Sequence, residues 1–139
     1  MIYKTKEFCS LTKKEQLSDA DLVQACREMD QGLIDADLGG ALYKKRVATG
    51  NKGKSSGFRT LIGAVIGEKY FFLYAFAKNK RSNISYQEQI ALRELAYCLI
   101  HFDQHELKHL IETGELIKVE ALPEERIKKE LNEEGDNHE

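Results

Sequence analysis

Residues 70–77, Tyr-Phe-Phe-Leu-Tyr-Ala-Phe-Ala, constrain the fold more than any other stretch of the chain. Side chains of a strand alternate between its faces, and here large apolar groups fall on both parities, so both faces must be covered. Such a strand belongs in the middle of a sheet. The run before it, Thr60 to Ile66, is also apolar and β-branched, and Gly67-Glu68-Lys69 between the two reads as a turn. Upstream, the stretch from Leu42 to Ile62 reads as two short β-type runs joined by a loop rich in Gly, Ser and Lys. Strands joined by connections this short pair antiparallel, because parallel neighbours need a long crossover.

Helical signals flank these strands. Ser18-Asp-Ala-Asp21 resembles a capping box with Asp in place of Glu, and Leu22, Val23, Cys26 and Met29 follow at amphipathic spacing until Gly32 can close the helix. Gly39-Gly40 marks a turn into the strands. Ser85 and Glu88 form a second capping pattern ahead of Ile90, Leu92, Leu95, Leu99 and Phe102. Asp103 with Glu106 predicts a fresh helix start, Gly114 its end, and residues 115–121 an extended segment. Ile2, Tyr3 and Phe8 fit a short strand or a docked arm, and residues 11–17 hold helix formers with weak periodicity. One domain is expected over residues 1–121. Residues 122–139, with Glu124, Glu125, Glu130, Glu133, Glu134, Asp136 and Glu139, are expected to be an acidic tail, partly helical or disordered.

The formal net charge of the 139 residues is only −2, yet its distribution is lopsided. From Leu38 to Gln87 ten cations stand against one anion, Glu68, so this segment carries +9 and the remainder −11. Six of those cations, Lys44, Lys45, Arg46, Lys52, Lys54 and Arg59, fall between Leu42 and Ile62 with no anion among them. A field of that shape attracts polyanions to one side of the molecule. No apolar run is long enough to cross a membrane, and the N-terminus lacks the apolar core of a signal peptide. Cys9, Cys26 and Cys98 are odd in number and far apart, which points to reduced, mostly buried thiols in a cytoplasmic protein.

Three chemical motifs fail on context. Ala48-x-x-x-x-Gly53-Lys54-Ser55 imitates a phosphate-binding loop, but that loop needs a helix after it and here Phe58-Arg59 opens a strand. His101, His105 and His109 have metal-stripe spacing, but the helix start at Asp103 separates the first from the other two. The cysteines have no neighbouring His or cation cluster to activate a thiolate. No metal ligand set and no cofactor is expected. That leaves the cationic hairpin. Lys44 and Arg46 share one strand face, Lys45 and Val47 the other, and Arg59 points with Leu61. Phe58 and Tyr43 offer rings on which bases could stack, and Gly53 and Gly57 let backbone approach phosphate. Every histidine lies at 101 or later, so RNA cleavage here could not use paired imidazoles. A lysine crowded by like charges can instead act as the base on a ribose 2′-OH, while an arginine stabilises the phosphorane.

Leu38-Gly-Gly-Ala-Leu-Tyr-Lys-Lys-Arg-Val-Ala48, Gly53-Lys-Ser-Ser-Gly-Phe-Arg-Thr60, Phe71-Phe-Leu-Tyr-Ala-Phe-Ala-Lys-Asn79 and Asn83-Ile84 resemble, in this order, the HigB-like branch of the RelE/ParE toxin superfamily. Lys4-Thr-Lys-Glu-Phe8 and Leu17-Ser-Asp-Ala-Asp-Leu22 fit the same branch. The resemblance implies an α+β fold, with N-terminal helices packed on a small twisted antiparallel sheet of three to four strands, followed by C-terminal helices. It implies a toxin held by a cognate antitoxin, often a helix-turn-helix protein, and commonly one that cleaves mRNA in the ribosomal A site without metal. Operator DNA would then be met only through the antitoxin complex, and no membrane is involved. Arg59 matches the arginine that contacts the scissile phosphate. Lys44 or Lys45, with Arg46, occupies the basic strand that supplies a lysine base or phosphate contact, and Lys78 matches a further basic position. Lys45, Lys52, Lys54, Phe58, Lys80 and Arg81 complete the expected RNA-binding set. RelE has Gly-Lys-Arg where this chain has Ala77-Lys78-Asn79, so Arg81 is the candidate for the displaced arginine, and Tyr86 for a C-terminal tyrosine. The departure keeps open a ParE-type, gyrase-trapping toxin, or a non-catalytic homologue acting through antitoxin binding and operator control.

Overall fold

The computed structural model describes residues 1–15, 17–48 and 57–120. In chain order its elements are β1 (Ile2–Thr5), α1 (Lys6–Thr12), α2 (Asp19–Asp30), β2 (Ala36–Asp37), β3 (Leu42–Val47), β4 (Phe58–Val65), β5 (Lys69–Ala77), α3 (Tyr86–His101), α4 (Gln104–Glu112) and β6 (Leu116–Val119). Residues 121–139, and with them the expected acidic tail, lie outside the described residues, as do Lys52, Gly53 and Lys54.

The capping and turn signals behave as expected, whereas Phe8, read with Ile2 and Tyr3 as a short strand or docked arm, lies in α1. Ser18 with Asp21, Ser85 with Glu88 and Asp103 with Glu106 each close a reciprocal capping box at the start of α2, α3 and α4. Each satisfies a helix N-terminal N–H that would otherwise lack a partner. Gly39 and Gly40 have positive φ, as does Ala41, and this left-handed turn joins β2 to β3.

The sheet is larger than expected and mixed rather than purely antiparallel. Its strands run in the order β2-β3-β4-β5-β1-β6. The antiparallel core β3-β4-β5 is there, but β1 lies parallel against β5, with Tyr3 opposite Phe71, and β6 lies antiparallel against β1. The physical reason lies in β5 itself. A strand buried on both faces cannot leave its second edge of N–H and C=O groups unpaired, and the N-terminal strand closes it.

Helices cover both faces, so the layering is helix, sheet, helix. On one face α1 and α2 pack Phe8, Leu22, Val23, Cys26 and Met29 against Val47, Phe58, Ile62 and Phe72. The Phe8 and Phe72 rings meet at 5.3 Å. On the other face α3 and α4 pack Leu92, Ala96, Leu99 and Leu107 against Leu42, Leu61, Phe71, Leu73 and Phe76. A Cβ at Gly63 would stand 2.8 Å from that of Ala96, so glycine lets α3 settle onto β4. Cys26 is buried and Cys9 half-buried, but Cys98 is exposed, against the expectation of mostly buried thiols. Burial pushes the Cys26 thiol up to about 12, which leaves it inert.

The central strand is irregular at one point. The β4–β5 register pairs Ile62 with Phe72 but Leu61 with Tyr74, so Leu73 is an extra residue in β5. This bulge re-phases the end of β5 and sets Phe76, rather than Ala75, opposite Arg59.

Candidate functional site

The β3–β4 ladder places Lys44 opposite Leu61, Lys45 opposite Thr60 and Arg46 opposite Arg59. Leu42 and Leu61 belong to the α3–α4 core, so Lys44, Arg46 and Arg59 share that face by strand alternation. Val47 and Phe58 belong to the α1–α2 core, and Lys45 shares their face. The hairpin's cations are therefore divided between two surfaces.

Arg59 is the unusual member. Its residue is only 7% exposed, and its Nη1 is buried without a hydrogen-bond partner among the described residues. No carboxylate among the described residues pairs with it. Burying an unpaired guanidinium costs several kcal/mol, roughly, so such a group is uncommon unless it is used. On one side stands Arg46 on β3, whose Nε lies 3.3 Å from Asp35 Oδ1 and whose backbone N–H donates to Asp35 Oδ2 at 2.5 Å. On the other stands Phe76 on β5, with the Arg81 guanidinium over its ring, 5.6 Å from the centroid. Arg81 is held in turn by Glu88 at the start of α3, Nη2 to Oε1 at 2.6 Å. The result is a row of three arginines across the sheet end. Among the described residues the outer two have carboxylate partners and the central one has none. A site of this kind binds an oxyanion and can stabilise charge that develops on it.

The backbone beneath the row is fixed closely. A Cβ at Gly57 would collide with the Val47 carbonyl oxygen, so only glycine lets β4 start against β3 two residues before Arg59. That role differs from the close approach to phosphate expected of Gly57.

A family model described as the RelE toxin of the RelE/RelB toxin–antitoxin system matches residues 1–119. The chain belongs to the RelE toxin family. It is thus the toxin of a toxin–antitoxin pair, and toxins of this family pair with a RelB-type antitoxin. The match spans every element from β1 to β6. No curated protein matches the chain.

The expected site residues of this RelE-family toxin are split by the sheet. Lys44, half-buried, and Arg46, exposed, stand on the Arg59 face. Lys78 and Lys80 are exposed in the turn after β5, and that turn carries Arg81 back onto Phe76. Lys45, expected to meet RNA, lies on the opposite face. It is 3% exposed, with its ammonium 2.8 Å from Glu28 of α2. Phe58, expected to stack on bases, is 5% exposed within the α1–α2 core, so its ring is occupied by packing. Tyr86 is exposed on the first turn of α3. His101 ends α3 while His105 and His109 lie on α4, so the three histidines do not share a helix. Sequence reasoning missed Phe76, Asp35 and Glu88 as parts of the site. Glu88 was visible only as a capping residue.

Proposed function

We propose that this toxin, in the HigB-like branch of its family, is an endoribonuclease that cuts mRNA on the ribosome in the cytoplasm and so arrests translation. The observation that carries this reading is Arg59: a buried guanidinium with a free Nη1, on one face with Lys44 and Arg46 and with no carboxylate partner among the described residues. In the proposed reaction a ribose 2′-oxygen attacks the adjacent phosphorus while Lys44 takes the 2′-OH proton. Arg59, with Arg46 beside it, stabilises the extra negative charge of the phosphorane. The bond to the 5′-oxygen breaks, Lys78 returns a proton to that oxygen, and a 2′,3′-cyclic phosphate remains. Ammonium and guanidinium groups supply all the positive charge that this route uses, so it calls for no metal or cofactor. The antitoxin, a helix-turn-helix protein in this reading, would bring the toxin to operator DNA.

Primer extension on translated mRNA tests the proposal. Cuts in phase with codons are expected, and their loss in Arg59→Ala and Lys54→Ala; intact mRNA during growth arrest would overturn it. The triplet Ala77-Lys78-Asn79, without the arginine of RelE, favours a second reading, a ParE-type toxin. In that case arrested cells would accumulate cleaved supercoiled DNA and leave mRNA whole. A non-catalytic homologue would do neither and would act only through its antitoxin.

A further inference from the structure

Four of the five N–H donors of Arg81 are taken up inside the chain. Nε donates to the Asn83 carbonyl at 2.9 Å, Nη2 to Glu88 Oε1 at 2.6 Å, and Nη1 to Glu88 Oε2 at 3.2 Å and the Tyr74 hydroxyl at 3.4 Å. Glu88 is anchored independently of Arg81. Its Oε1 also accepts the Ser85 backbone N–H at 2.7 Å, and its own N–H donates to Ser85 Oγ at 3.1 Å. The carboxylate is therefore part of the α3 cap and cannot follow the arginine if the arginine moves. The Arg81 guanidinium and the Ser85 groups hold its carboxyl down at about 2, so it stays ionised throughout the physiological range.

Two carboxylate oxygens present a guanidinium with the same geometry as two oxygens of a phosphodiester. With one donor left, Arg81 cannot grip a phosphate by both nitrogens while Glu88 holds it. Phe76 lies between this pair and Arg59, so the exchange would take place beside the unpaired guanidinium.

We propose that Glu88 is a resident mimic of the substrate's phosphate, which parks Arg81 on Phe76 in the free toxin and is displaced from it by an RNA phosphodiester. Glu88 is thus a positioning residue: it keeps a second guanidinium in the site at the cost of some RNA affinity. The proposal rests on the reading of this toxin as an RNA-cutting enzyme, and its test separates the two.

The measurement is the affinity of the full chain for a 2′-O-methyl oligoribonucleotide, which has no 2′-OH to react. Glu88→Gln retains a side chain that closes a capping box, so α3 keeps its start. Glu88→Gln should bind the probe roughly three- to fivefold tighter than wild type, the size of a partly exposed ion pair removed from competition. In an Arg81→Gln background the same substitution should change nothing. An equal gain in both backgrounds would mean a general field effect and would overturn the exchange, as would unchanged or weaker binding by Glu88→Gln. A second measurement needs no RNA. The Nη–H signals of Arg81 should be protected from solvent exchange in the free wild type by their bonds to Glu88 and lose that protection in Glu88→Gln; no difference would overturn the clamp. If the probe binds in an Arg59-dependent way but Glu88→Gln gains nothing, the proposal fails while the RNA reading stands. If the clamp is seen and no chain binds the probe, the exchange fails, while the RNA reading stands or falls on primer extension with translated mRNA.

Discussion

Lys45 and Arg59 are buried cations of the central hairpin, one on each face of the sheet, and they have been treated in opposite ways. Lys45 reaches α2 and meets Glu28 at 2.8 Å, and Thr60 Oγ1 donates to its carbonyl at 2.9 Å. Arg59, on the neighbouring strand, faces Arg46 and Phe76 and has a buried nitrogen with no partner among the described residues. Both charges lost their water on folding. Among the described residues, only one was given a counter-ion. A buried cation with a partner positions one element against another, whereas a buried cation without one is an unsatisfied site waiting for an anion from outside. The Lys45 pair thus ties the α1–α2 face together, and under the proposed function the α3–α4 face is the half that meets RNA.

The largest expected effect breaks the structural half. Glu28→Leu leaves the Lys45 ammonium buried without that partner, and loss of one member of a buried pair costs about 3–5 kcal/mol. The double variant Glu28→Leu/Lys45→Met should recover most of that loss in urea denaturation, because the Lys45 charge is then no longer stranded. If Glu28→Leu alone is silent, the pair does not hold α2 on the sheet and the contrast with Arg59 disappears. The functional half should respond the other way. Arg59→Met should lower mRNA cleavage by roughly 10²–10³-fold, as loss of a transition-state donor does. It should also raise stability by about 0.5–2 kcal/mol, because an unpaired charge leaves the interior. Loss of both stability and activity would mean that Arg59 is a packing residue.

Much of this contrast could be read from the chain, and the reasons it could not all be read are physical. Caps and hairpin turns use residues three or four apart, so Ser18, Ser85, Asp103 and the Gly67 turn declared themselves. Strand alternation separated Lys45 from Lys44 and Arg46 on sight. What alternation could not say was which face would be covered by a helix carrying Glu28, because that depends on tertiary packing. Phe58 suffered from the same blindness: it shares Lys45's face and is consumed by the core. The pairing of β1 with β5 joins segments far apart in the chain and leaves no local pattern. The bulge at Leu73 is the clearest case. Counting along an unbroken β5 would set Ala75 opposite Arg59, and one extra residue substitutes the Phe76 ring that supports Arg81.

A smaller effect probes how α3 is seated over the Arg59 face of the sheet. Gly63→Ala would bring a methyl within 2.8 Å of Ala96 Cβ and 3.1 Å of its Cα. The helix must shift to admit it, a cost of about 1–3 kcal/mol for overpacking. Paired with Ala96→Gly, which removes one of the colliding atoms, the loss should shrink. An Ala at 63 that leaves the urea midpoint unmoved would show that α3 rides more loosely on β4 than its packing implies.

The smallest expected effect is in acid, and it distinguishes the rim of the arginine row from its centre. The Glu88 carboxyl is held down at about 2, first by the Arg81 guanidinium and then by the Ser85 N–H. A carboxyl whose folded value lies below its unfolded value contributes stability that is present above the unfolded range, near 4.5, and is lost as pH falls through the folded one. Wild type should therefore exceed Glu88→Gln in urea midpoint at neutral pH, with the gap closing between about pH 4.5 and 2. Both side chains are about one-third exposed, 36% and 33%, so screening keeps the gap to a few tenths molar in urea and high salt should narrow it. Arg59 has no carboxylate partner to titrate among the described residues, so Arg59→Met should shift the midpoint by the same amount at pH 7 and pH 3. A gap for Arg59→Met that closes in acid would reveal an acidic partner at the centre of the row, and the distinction between its centre and its rim would be lost.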